Sequence, residues 1–102
     1  MHDLNSGGHD RGRLQARLDA LATRLDDFRT RARGEPVPSR AAALAAADDM
    51  ARQRQLAVQK LRASGDLGDR ASAEILESVA ILLDDLEESL TDEEAIRTDA
   101  ER

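Results

Sequence analysis

The chain has 102 residues, a formal net charge of −6 and no cysteine, which bounds it to one small domain and excludes disulfides, thiolate metal sites and cysteine nucleophiles. Apolar residues make up 40% of it, but 18 are alanine and Phe28 is the one aromatic, so the core is thin and there are no aromatics for stacking nucleobases. Charge is uneven: residues 1–73 sum to +3 and residues 74–102 to −9, an asymmetry that bears on partners more than the total does.

The first segment, MHDLNSGGHDRGR, has no apolar run after its basic residues, so it does not read as a secretory leader, and residence in the cytoplasm is expected. Residues 1–9 read as a disordered arm. Its His2 and His9 are the only histidines, and nothing there organises them into a metal site.

A first helix is predicted over about 10–33, capped by Asp10, with Gly12 weakening its first turn. Leu14, Leu18, Leu21, Leu25 and Phe28 recur at spacings of four and three, the 3.5-residue period of a coiled-coil seam. Arg17, Arg24 and Arg31 form a row along one edge. In a parallel or antiparallel pair of first helices these rows would meet like with like, so the row calls for an acidic partner. Arg29, Arg31 and Arg33 suit the negative end of the helix, and Gly34 is placed for a left-handed cap.

GEPVPS is the first loop, because proline cannot continue a helix and holds its predecessor extended. Ser39 then caps a second helix over about 40–63. Leu44, Ala47, Ala51, Val58 and Leu61 share a face, with Ala43, Met50 and Ala57 beside it. Arg54 interrupts that face and is expected to snorkel to its edge. Leu56 points away from it. Gly65 is the expected cap, and SGDLGD the second loop.

Asp69 or Ser72 opens a third helix over about 70–90. It carries Ile75, Leu76, Val79, Leu82, Leu83, Leu86 and Leu90, flanked by Glu77, Asp84, Asp85, Glu87 and Glu88. The simplest partner for the first helix is therefore this one, seam to seam, with the Arg row against its acidic margin. Exposed ion pairs contribute only about 0–1 kcal/mol each, so they select the pairing rather than hold it. Ile81 falls opposite the main face. TDEE at 91–94 has the capping-box pattern, opening a short helix over 92–100 unless Thr91 lies inside a continuing one. Residues 92–102 read as an acidic, partly frayed segment.

The fold expected is all-α: an antiparallel three-helix bundle over 10–91, or a long helical hairpin with coiled-coil-like packing. No segment is apolar enough to span a bilayer, and no basic face with aromatic anchors suits a membrane surface. DDLEESLTDEE lacks the glycine turn of a calcium loop, no serine has a structured histidine partner, and no phosphate-binding glycine loop occurs. No enzyme activity, cofactor, metal or small-molecule substrate is expected. The expected function is a small interaction or oligomerisation module using Leu-rich helix faces with Arg–acidic register, its partner a homodimer mate or another helical protein. One alternative is a regulator of the antitoxin or anti-factor type, whose acidic third helix neutralises a basic partner. Another is a nucleic-acid accessory protein using the arginines of RTRARGEPVPSR, at 29–40, against which the acidic total counts.

Overall fold

The computed structural model describes residues 10–65 and 69–100 of the chain. It contains three helices, α1 (Arg11–Ala32), α2 (Val37–Ser64) and α3 (Asp69–Ala100), packed side by side into a body of 50 × 25 × 16 Å. Side-chain bonds set the directions. Arg11 reaches Leu61 while Arg29 reaches Asp48, so α1 and α2 are antiparallel. Lys60 reaches Ser78 and Ser72 reaches Ser64, so α2 and α3 are antiparallel as well. The expected arm at 1–9 lies outside the described residues.

The α1 start is as the sequence implies: the Asp10 carboxylate accepts from the Gly12 amide at 2.8 Å. Gly12 fits this cap, since a Cβ there would sit 3.3 Å from Asp10 Oδ1. The other ends differ from expectation. Gly34 does not enter the left-handed region. The chain leaves α1 through tight bonds instead, Gly34 N to Arg31 O and Glu35 N to Ala32 O, both 3.1 Å, which satisfy the last carbonyls in 3₁₀ fashion. Gly65 is likewise right-handed, with φ −69°. Its smallness matters for another reason, because a Cβ would come within 3.3 Å of the Arg11 guanidinium. That guanidinium and the Ser64 hydroxyl both donate to Leu61 O, at 3.1 and 2.6 Å.

The second helix begins at Val37 rather than near Arg40, so Ser39 is not its cap. Pro36 is the N-cap residue, at φ −55° and ψ 153°, and Pro38 sits inside the first turn. First-turn amides have no intrahelical acceptor, so proline loses no bond there and its ring presets the helical φ. The third helix runs unbroken for 32 residues. Thr91 lies within it, no separate helix starts at 92, and the boundary expected at 90 does not exist.

The core is one cluster. α1 contributes Leu14, Leu18, Leu21, Leu25, Phe28 and Ala32; α2 contributes Ala43, Ala47, Met50, Ala57 and Leu61; α3 contributes Val79, Ala80, Leu83, Leu86 and Leu90. Leu44, Val58, Ile75, Leu76 and Leu82 pack against it half-buried. The inner line of α2 is thus Ala43–Ala47–Met50–Arg54–Ala57–Leu61, rotated slightly from the expected face. Its alanines bury little area but let the helix approach its neighbours closely.

Candidate interaction surfaces

The first helix uses its seam internally. Leu14, Leu18, Leu21, Leu25 and Phe28 are each no more than 4% exposed, and none is available to a partner. The arginine row lies against α3. Arg17 forms a two-pronged bond to Glu87, Nε to Oε2 at 3.0 Å and Nη2 to Oε1 at 2.7 Å, and a further bond to Asp84 Oδ1 at 2.7 Å. The Glu87 bonds first, and Asp84 after them, hold the Arg17 guanidinium well above its ordinary pKa, against the opposing pull of burial.

One heptad further on, Arg24 Nη2 donates to Glu94 Oε1 at 2.7 Å and to Thr91 Oγ1 at 3.3 Å. Arg17–Glu87 and Arg24–Glu94 have the same sequence offset of 70, so α1 and α3 run parallel in constant register. Arg31 comes within 3.9 Å of Glu94 Oε2 but stays more than half exposed. Glu94 lies outside the expected acidic margin; its seven-residue spacing from Glu87 is the signal that marks it. Glu77, Asp85 and Glu88, which were part of that margin, are exposed on the outer side of α3.

Arg54 does not simply snorkel. It occupies an inner position of α2, half-buried, and its Nε donates to the Leu18 carbonyl at 2.8 Å. A cleft of about 250 Å³ opens beside it, lined by Ala22, Leu25, Asp26, Arg29, Ala51, Arg54 and Gln55. Arg29 is engaged there with Asp48 at 3.1 Å. The ionisable lining of the cleft is one carboxylate, Asp26, and two guanidinium groups, Arg29 and Arg54.

At the other end of the α3 seam, polar residues replace leucine. After Leu86 and Leu90 the inner positions are Glu93 and Arg97, joined at 3.3 Å. Arg97 also lies 3.7 Å from Glu35 of the α1–α2 loop, both side chains being about one-sixth exposed. Arg97 Nε is buried without a hydrogen-bond acceptor.

The outer side of the molecule carries the apolar residues that the core leaves out. Leu56 is 53% and Ile81 56% exposed, as are Val37 and Ile96 to similar degrees. Lys60 Nζ donates to Ser78 Oγ at 3.1 Å. Leu56 is one turn before Lys60 and Ile81 one turn after Ser78, so on these antiparallel helices the two stand at about the same height. Of the other residues expected to meet a partner, Leu76 and Leu82 are half-buried, whereas Val79, Leu83, Leu86 and Leu90 belong to the core.

The arginines at 29–40 do not form one patch. Arg29 is directed at Asp48 and Arg31 toward Glu94, leaving Arg33 exposed and Arg40 half-buried. Among the described residues no three His, Asp or Glu side chains come together as metal ligands, and no helix is long and apolar enough to cross a membrane. Comparison with protein-family models, curated proteins and solved structures found no match to this chain.

Proposed function

We propose that this chain is a non-catalytic helical module that binds another protein through the outer face of α2 and α3. The observation that carries this reading is that Leu56 and Ile81, at about the same height on α2 and α3, are both more than half exposed on a body whose α1 seam is wholly internal. Neighbouring apolar side chains on two helices form a surface that gains free energy when covered. Arg17 and Arg24 do not compete for this role, because they serve the α1–α3 register. The reading involves no cofactor and no small-molecule substrate.

The test is a Leu56→Ser, Ile81→Ser double variant. Both positions are exposed, so circular dichroism and the melting temperature should stay close to those of the parent chain. Immobilised parent chain should retain from its own cell extract a protein that the variant does not. An identical retained set for the two chains, at equal folded content, would sink the reading.

A further inference from the structure

We propose that the outer face of α3, with Leu56 of α2 beside it, docks a cationic amphipathic helix of another protein; this rests on the interaction role just proposed and adds the chemistry of the partner. At about 100° per residue, Glu74, Glu77, Ile81, Asp85, Glu88, Asp92 and Ile96 fall within one sector of about 100° on α3, with one cation, Arg70, at its start. All seven are exposed. Ile81 and Ile96 stand fifteen residues apart, about 22 Å along the axis at 1.5 Å per residue, and Asp85, Glu88 and Asp92 lie between them.

Those carboxylates are distinct from the ones that hold the fold. Asp84, Glu87 and Glu94 face Arg17 and Arg24 on the inner margin. Glu74, Glu77, Asp85, Glu88 and Asp92 have no cation within 4 Å among the described residues. Acidic residues three and four apart on a helix repel one another, as Asp85 with Glu88 and Glu88 with Asp92 do here. The outer stripe therefore destabilises the isolated helix, and a cationic partner relieves it. Ile81 and Ile96 give such a partner two apolar anchors, and Leu56 widens the first.

A second copy of this chain fits the face poorly. It would bring its own acidic stripe, and the α2 edge offers few cations in exchange. Arg52 is already paired with Asp49, and Lys60 is bonded to Ser78. Charge complementarity of this kind sets which partner is accepted and how fast it arrives.

The experiment titrates the full chain into a fluorescent synthetic helix of about 18 residues, with lysines between two leucines placed fifteen apart to match the two isoleucines. Saturable one-to-one binding is expected, weakening steadily with added salt. Asp85→Asn, Glu88→Gln and Asp92→Asn together should raise Kd about tenfold, and Ile81→Ser with Leu56→Ser should raise it several-fold. Circular dichroism of each variant confirms that it is folded. The proposal is overturned by absence of saturable binding, or by equal binding of a peptide with glutamate in place of lysine. It is also overturned if loss of the apolar pair leaves Kd unchanged, which would mean bare charge attraction. Should the peptide fail while the Leu56→Ser, Ile81→Ser variant still loses a retained protein from extract, the interaction role stands and the cationic partner does not.

Discussion

Arg17 shows how much one side chain can decide without contributing much energy. Its guanidinium satisfies two carboxylates on α3, but its side chain is 26% exposed and that of Asp84 71%, so solvent screens the attraction. A double-mutant cycle with Arg17→Gln and Glu87→Gln is expected to give a coupling of about 0.5–1 kcal/mol by urea denaturation, shrinking in about 1 M salt. The raised folded pKa of Arg17 contributes stability that is complete below the unfolded guanidinium value and lost only above the folded one. Both limits lie beyond ordinary alkaline conditions. The Arg17→Gln penalty should therefore be the same at about pH 7 and about pH 10; a penalty that vanishes at the higher pH would contradict this assignment. Core residues carry far more. Leu83 is 0% exposed, and Leu83→Ala should cost about 2–5 kcal/mol by urea denaturation, a large fraction of the stability of a small domain. Ala47 is also 0% exposed, and Ala47→Leu should cost about 1–3 kcal/mol through overpacking.

At the scale of the element, the α1 seam was legible from its four-three spacing, and the match of its arginine row to α3 was legible because that row has one acidic counterpart, but the seam is packed mainly by α2 and only secondarily by α3, which the charge pattern does not report. The ends were less legible. Proline and Thr-x-x-Glu signals report what a backbone can do, and tertiary contacts choose among the options: Pro38 suits a first turn as well as a loop, and the Thr91 hydroxyl accepts from Arg24 instead of capping. The spacing put Arg54 on the inner face of α2, but its half-buried state was not legible, because it depends on the Leu18 carbonyl of α1 that its Nε finds. The end of α3 has a consequence for dynamics. Leu90 is the last core residue of that helix. Beyond it, the described contacts to the rest of the molecule are polar, through Thr91 and Glu94 to α1 and through Arg97 to Glu35. This stretch should open locally far more easily than the turns before it. Hydrogen exchange should show amides 91–97 losing protection in about 1 M salt while amides 79–90 keep theirs. Arg24→Gln with Arg97→Gln should do the same at low salt. Equal protection across Leu90 under both conditions would show that the polar contacts do not hold the end in place.

At the scale of the whole molecule, charge is sorted rather than merely unequal. Cations of α1 neutralise the inner margin of α3, and the residual negative charge is concentrated on the outer face beside Ile81 and Leu56. Leu56 and Ile81 were visible in the sequence as positions off the seam, whereas Ile96 was not, and the matching heights of Leu56 and Ile81 depend on the α2–α3 register that the Lys60–Ser78 bond reports. The same sorting makes a statement about self-association. Two copies meeting through this face would oppose their acidic stripes, which costs most at low ionic strength, and the α1 seam that could otherwise have driven a coiled coil is already buried. Light scattering after size exclusion, over a dilution series at about 0.05 M salt, should therefore give the monomer mass of 11.1 kDa. If weak dimers form at all, they should grow on raising the salt and shrink again in the Ile81→Ser variant. A dimer that persists through dilution at low salt and dissociates on Ile81→Ser would place a second copy on this face and remove the cationic helix from it, while leaving the face itself as the site of interaction.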